Sequence, residues 1–133
     1  MTETRRILVT GATGKVGRAL IKRIFNDPTF ADVQIRALLH NRDLPPHERL
    51  ETVRGSIEHL DVVQRAMQDV THVLHLATCK ETPDQIMDVA VKGLFWLLET
   101  ARISLTFKQF ILIDRDAAMG HFHYAHPIPV TEM

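Results

Sequence analysis

The sequence predicts an α/β fold, a doubly wound parallel sheet of about five strands in the order 3-2-1-4-5. Short apolar runs typical of strands alternate along the chain with segments of helical periodicity. The run at residues 7–9 leads into a glycine-rich turn and then directly into a helical pattern. Since parallel strands are joined by right-handed helical crossovers, this alternation favours a parallel sheet. The 133 residues are expected to form one domain, 1–133, with an irregular C-terminal segment at 114–133.

The glycine-rich turn has the sequence TGATGKVG at residues 10–17. Gly11 permits a tight turn out of the strand, and Gly14 lets the backbone approach a pyrophosphate. Gly17 lets the helix pack closely on the strand, and the helix N-terminus offers unpaired backbone N–H groups to phosphates. The order strand, turn, helix predicts a dinucleotide-binding site; the alternative is a plain turn between two elements.

The other elements follow from the same patterns. Strands are predicted at residues 5–10 and 33–39, with a helix at 14–25 between them that ends at an Asn-Asp-Pro sequence. A polar loop with two consecutive prolines follows. The second half of the chain is predicted to contain strands at 51–54, 71–76 and 109–113 and helices at 57–68 and 83–103. This order puts the switch point, where ligands bind, between the first and fourth strands.

The composition excludes some classes of partner. Lys plus Arg and Asp plus Glu number 16 each, so the formal net charge is zero and nothing favours nucleic acid or an anionic membrane. The single cysteine, Cys79, cannot form an intrachain disulfide, which fits a reducing cytoplasm. No apolar run has the length of a transmembrane helix. A cytoplasmic location is therefore expected.

Further segments follow the glycine turn: HLATCK at 75–80, VKGLFWLLETA at 91–101, FILIDRDAAMG at 110–120 and PVTEM at 129–133. Together with the turn, they resemble the extended or atypical short-chain dehydrogenase/reductase superfamily. This group contains sugar-nucleotide epimerases and dehydratases and NmrA-like proteins. The resemblance implies a Rossmann-type NAD(P)-binding domain that stops before the family's catalytic helix and substrate lobe.

The cofactor-binding residues implied by the motif and the resemblance lie in four places: the glycine turn, the ends of the second and third strands, and the segment after the fourth strand. They are Gly11, Thr13, Gly14, Lys15, Val16, Gly17, His40, Asn41, Arg42, Ser56, Ile57, Leu76, Ala77, Thr78 and Lys80. By resemblance, Lys80 approaches the nicotinamide half. Ser56 stands where many members have an aspartate that reaches the adenine.

The end of the second strand bears on the choice between NAD and NADP. NAD-binding proteins usually place an acidic residue there, and NADP-binding proteins place a cation near the 2′-phosphate. Here Arg42 precedes the first acid, Asp43, and Lys15 adds a charge in the glycine turn. This charge pattern favours NADP over NAD; the alternative is that Arg36 and Arg42 are solvated surface cations.

The sequence departs from the family at its catalytic positions. Arg115 stands where the family commonly has a serine or threonine, and an arginine only donates hydrogen bonds. The family's Tyr-x-x-x-Lys pair is missing from the sequence, because Ile128 follows the only tyrosine, Tyr124, by four residues. The remaining candidates for catalysis or substrate contact are Lys80, Asp114, Arg115 and Asp116.

Two functions are therefore open. The first is the cofactor-binding part of an NAD(P)-dependent oxidoreductase or epimerase-like protein. In a complete parent, hydride would pass between the nicotinamide and a carbinol or carbonyl carbon of a small-molecule substrate. The second is a non-catalytic NAD(P)-binding sensor or interaction module.

Three other features have structural interpretations. His75 ends an apolar strand and is expected to be a structural histidine. His121, His123 and His126 match no standard zinc spacing, so no metal site is expected. The helix at 83–103 carries a core stripe, but Phe95, Trp96 and Leu98 add apolar surface outside it. Either two sides of this helix are buried or one side is an interface; by resemblance, a homodimer would form there.

Overall fold

The structure is a computed structural model that describes residues 4–78 and 82–113. Its centre is a parallel sheet of five strands in the order β3-β2-β1-β4-β5, which confirms the predicted fold class and strand order. The strands are β1 (Arg6–Thr10), β2 (Gln34–Leu39), β3 (Leu50–Arg54), β4 (His72–His75) and β5 (Gln109–Leu112).

Helical segments connect the strands and cover the sheet. They are α1 (Lys15–Asn26), a short 3-10 turn (Pro28–Phe30), α2 (Leu60–Ala66), α3 (Pro83–Gln85), a π-helical segment (Ile86–Gly93) and α4 (Leu94–Ile103). The predicted helix at 57–68 is shorter at both ends. Its first residues form a turn in which the His59 N–H donates to the Ser56 carbonyl at 3.2 Å. The predicted helix at 83–103 is helical throughout, with a π-helical middle.

Two hydrophobic cores lie on opposite faces of the sheet. One packs Val9 and Ile35 against Ile21 of α1, and the other packs Leu8 against Leu97 of α4. β2 is buried on both faces, although its sequence shows an alternating pattern. Arg36 occupies a polar position of that pattern, yet it is only 8% exposed. Its burial is possible because its guanidinium donates to the carbonyls of residues 66 and 68 at the end of α2.

The helical region 83–103 has one buried and one exposed apolar side. Gly93, Leu97 and Ala101 are buried, as the predicted stripe requires. Leu98 is 46% exposed and Phe95 is 56% exposed, so the apolar surface outside the stripe faces solvent. Of the two alternatives for this apolar surface, burial on a second side of the helix therefore does not hold for Phe95 and Leu98. Among the described residues, no helix is both long and apolar enough to cross a membrane.

Candidate functional site

A cleft of about 320 Å³ opens at the carboxyl ends of the central strands, where the switch point was predicted. It lies between the glycine turn and the segment that follows β4, with the ends of β2 and β3 on one side. Its lining residues are Thr10, Gly11, Thr13, Gly14, Leu38, His40, Arg42, Gly55, Ser56, Ile57, Glu58, Leu76, Ala77, Thr78, Gln85 and Val89.

Gly11 makes the turn out of β1 and lies directly against the backbone that follows β4. Its φ angle is +68°, a conformation that side chains rarely adopt. A Cβ atom at Gly11 would also lie 2.7 Å from the carbonyl carbon of Leu76. The tight turn predicted from the motif is thus confirmed, and it brings the two edges of the cleft together.

Gly17 and Gly14 have different surroundings. A Cβ atom at Gly17 would lie 2.5 Å from the Gly11 carbonyl oxygen and 2.8 Å from Cα of Ala12, so glycine is needed for α1 to pack on the turn. A Cβ atom at Gly14 would meet only the Gly11 oxygen, at 3.4 Å, which is ordinary contact. Packing within the described part of the chain therefore does not require glycine at position 14, although this residue lines the cleft.

The N-terminus of α1 points its backbone donors toward the glycine turn. No side chain caps this end, and the first helical hydrogen bond runs from Arg18 N–H to the Gly14 carbonyl at 3.0 Å. The N–H groups of residues 15–17 precede that bond and are available to an anion. Lys15, Val16 and Gly17 do not line the cleft, so their contribution to a ligand would come from their backbone N–H groups.

Thr10, which lines the cleft, forms a buried pair with His75 of β4. The Thr10 hydroxyl lies 2.6 Å from His75 Nδ1 and accepts hydrogen bonds from the N–H groups of Leu76 and Ala77 at 3.1 and 3.2 Å. Since those bonds use its lone pairs, the hydroxyl proton is donated to Nδ1, and His75 is the neutral Nε2–H tautomer. Burial lowers the pKa of His75, which favours the same neutral form. The structural role predicted for His75 agrees with these contacts.

The turn after β2 supplies the cationic side of the cleft. His40 and Arg42 line it, whereas Asn41 and Asp43 do not. The Asp43 carboxylate instead pairs with Arg54 at the end of β3. Among the described lining residues, no carboxylate stands at the end of β2, which agrees with the charge pattern seen in the sequence.

The segment after β3 also lines the cleft. Ser56 Oγ accepts the Glu58 N–H at 3.3 Å, so its own O–H is left to donate to a ligand. Ile57 lines the cleft and also packs on the helical region, where a Cβ atom at Gly93 would lie 2.5 Å from its Cγ1. Ile57 is therefore a core residue as well as a cleft residue.

The cleft brings together most of the predicted binding residues and adds several that the sequence did not indicate. The added residues are Thr10, Leu38, Gly55, Glu58, Gln85 and Val89. Thr10 could have been found from the sequence, because it is a polar residue at the end of an apolar strand. Lys80, Asp114, Arg115 and Asp116, together with Cys79 and the three C-terminal histidines, lie outside the described residues. Within the described ranges, no group of three metal-ligating side chains is present.

A five-stranded parallel sheet with a glycine turn and a helix N-terminus at its switch point defines a Rossmann-type domain. The family model described as NAD dependent epimerase/dehydratase matches residues 7–132. The chain belongs to this family. The resemblance to the short-chain dehydrogenase/reductase superfamily is thereby confirmed.

Three known proteins illustrate the relationship. An uncharacterized membrane protein of Methanocaldococcus jannaschii is 29% identical over 87% of this chain and 38% of its own length. A short-chain dehydrogenase/reductase superfamily protein from Agrobacterium tumefaciens, solved with bound NAD, is 31% identical with a TM-score of 0.66, over 84% of this chain and 33% of that one. Uronate dehydrogenase from Agrobacterium tumefaciens shares the fold, with a TM-score of 0.73 and 23% identity over 85% of this chain and 41% of that one. The chain thus spans well under half the length of each.

Proposed function

We propose that this chain binds NAD(P) in the cleft and forms the dinucleotide-binding part of an oxidoreductase- or epimerase-type protein. The observation that carries the proposal is Gly14, a glycine at the cleft that packing does not require. A pyrophosphate approaching the backbone at this point is the physical reason for its lack of a side chain. The similar NAD-bound protein of Agrobacterium tumefaciens supports a dinucleotide as the ligand.

The residues around the cleft fit the parts of a dinucleotide. The glycine turn and the N–H groups that begin α1 would hold the pyrophosphate. Ser56 and Ile57 would border the adenine, with the Ser56 O–H as a donor to it. Residues 76–78 would lie along the nicotinamide half. When bound, the cofactor supplies a nicotinamide carbon that donates or accepts hydride.

The proposed cofactor preference is NADP. Arg42 lines the cleft at the end of β2 and would pair with the 2′-phosphate, since charged hydrogen bonds from arginine suit phosphate oxygens. The first acid of this turn, Asp43, is paired with Arg54 and does not line the cleft. The carboxylate that would bind the NAD ribose is therefore committed elsewhere.

For a complete parent protein, we propose hydride transfer to or from a carbinol or carbonyl carbon of a small molecule. The second candidate function is a non-catalytic NAD(P)-binding module. Arg115, at the position where the family commonly has serine or threonine, favours this alternative because arginine accepts no hydrogen bond. A cytoplasmic location and a single domain over 1–133 remain predictions.

A homodimer through the helical region 83–103 is also proposed. Met87, Val91, Phe95 and Leu98 lie on its exposed side, and each is at least 46% exposed. They follow one another at intervals of three or four residues, so they form one apolar stripe along the helical surface. Burying such a stripe against a second copy would remove apolar surface from water.

Calorimetric titration of the chain with NADPH and with NADH tests the binding proposal. Saturable binding of one dinucleotide per chain is expected, with NADPH bound more tightly. Absence of binding by both cofactors would contradict the proposed function.

A further inference from the structure

Arginines from two elements hold the turn after β2 in place. Arg54 donates from Nη1 to the His40 carbonyl at 2.8 Å and from Nη2 to the Asp43 carboxylate, so one guanidinium spans the turn 40–43. Arg18 of α1 donates from Nη2 to the Asp43 carbonyl at 2.9 Å and from Nε to the Thr13 carbonyl at 2.9 Å. We call Arg18, Asp43 and Arg54 the turn clamp. It joins the end of β3, the turn after β2 and the glycine turn.

The clamp determines which side chains of the turn face the cleft. Arg42 lies between the two residues that Arg54 binds, and it lines the cleft. Asp43 does not line the cleft, because both its carboxylate and its carbonyl oxygen are held by arginines outside it. An acid in this region selects NAD by accepting from the ribose 2′-hydroxyl, and it repels the 2′-phosphate of NADP. The clamp therefore leaves the Arg42 guanidinium at the cleft and keeps the Asp43 carboxylate out of it.

We propose that Arg54 is a positioning residue that sets the choice between NADP and NAD, an inference that rests on the proposed function. It acts through two neighbours, by keeping Arg42 directed at the 2′ position and by neutralising Asp43. The side chains of Arg54 and Asp43 are 53% and 78% exposed. A single exposed charge interaction corresponds to at most about a fivefold change in an equilibrium constant, which sets the size of the effect.

The test is the ratio of the dissociation constants for NADPH and NADH, measured calorimetrically on the full chain. In Arg54→Met, the dissociation constant for NADPH divided by that for NADH should rise, by up to about fivefold. Arg102→Met is the matched control, because it removes an arginine from another exposed ion pair, with Glu99 on α4. The ratio should stay at its wild-type value in that control.

A second variant separates charge from turn geometry. Asp43→Asn combined with Arg54→Met removes the released carboxylate, so this double variant should regain part of the preference for NADPH. An unchanged ratio in Arg54→Met, or an equal loss of affinity for both cofactors, would overturn the role of Arg54 while leaving dinucleotide binding intact. A wild-type chain that binds neither cofactor would instead overturn the proposed function, and with it the role of Arg54 in cofactor choice.

Discussion

Gly14 and Gly17 are three residues apart, and a methyl group meets different surroundings at each. Gly17→Ala would place its Cβ 2.5 Å from the Gly11 carbonyl oxygen, so we expect a loss of about 1–3 kcal/mol of unfolding free energy. Gly14→Ala has ordinary contacts and an extended backbone, so its stability should change by less than about 1 kcal/mol.

The same methyl group at position 14 would stand where a pyrophosphate approaches the backbone. We therefore expect Gly14→Ala to lose at least about tenfold in affinity for NADPH, equivalent to 1.4 kcal/mol. Urea unfolding and calorimetric titration measure the two effects separately. A Gly14→Ala variant that binds NADPH as tightly as the wild type would contradict the assignment of this glycine to the ligand.

His75 makes the stability of the fold depend on pH. Burial lowers its pKa in the native state below the ordinary value of 6.5, so the unfolded chain binds the proton more tightly. The stabilisation is complete above about pH 6.5 and is lost as the pH falls toward the native pKa. Protonation of Nδ1 would also remove the acceptor of the Thr10 hydroxyl.

We expect the free energy of unfolding to rise as the pH is raised toward about 7, and to rise less in His75→Asn, whose amide oxygen replaces Nδ1 as acceptor. Part of the rise should remain in the variant, because burial also lowers the pKa of His72. Denaturant unfolding at several pH values measures this. Equal slopes for the variant and the wild type would show that His75 does not carry the effect.

At the scale of elements, the helical region 83–103 presents one side to the core and one to solvent. Phe95→Glu would put a charge in the centre of the exposed stripe, so we expect it to convert a dimer into a monomer. Leu105→Glu is the control, since Leu105 is fully exposed in the loop after α4 and lies outside the stripe. Sedimentation velocity should show a dimer for the control, and a dimeric Phe95→Glu variant would contradict this interface.

Periodicity predicted where the elements are but not how each is wound or covered. Residues 57–59 fit a helical pattern, yet Ser56 accepts the Glu58 N–H and a turn forms before α2. Apolar residues recur at helical spacing on two faces of the region 83–103, and spacing alone does not indicate which face packs on the sheet. The π-helical winding of Ile86–Gly93 has no signal in the periodicity, and neither has the close approach of Gly93 to Ile57, which depends on the fold.

At the scale of the whole molecule, the glycine turn and the strand order sufficed to place the cleft, because the switch point follows from topology. Glu58 and Gln85 were missed, since their part in the cleft depends on the paths of two loops. The sequence also did not indicate that Asp43 stays out of the cleft, because its partner, Arg54, is on another strand. Binding motifs local in sequence were predictable, and contacts between distant loops were not.

The chain as given should show little or no steady-state reduction of carbonyl compounds with NADPH. By resemblance to the family, Arg115 stands where a hydrogen-bond acceptor is common, and the 133 residues given contain no Tyr-x-x-x-Lys pair that would transfer a proton. Consumption of NADPH, followed by its absorbance over a panel of carbonyl compounds, measures this. Sustained turnover would contradict the expectation and would favour the enzyme over the binding module.

The central claim, that the cleft holds a dinucleotide, is tested most directly by unfolding with and without the cofactor. Urea unfolding followed by circular dichroism should show a single transition. NADPH at about a hundredfold its dissociation constant should raise the free energy of unfolding by about 2.7 kcal/mol, because it binds only the native state. An unfolding free energy that neither NADPH nor NADH changes would contradict the account.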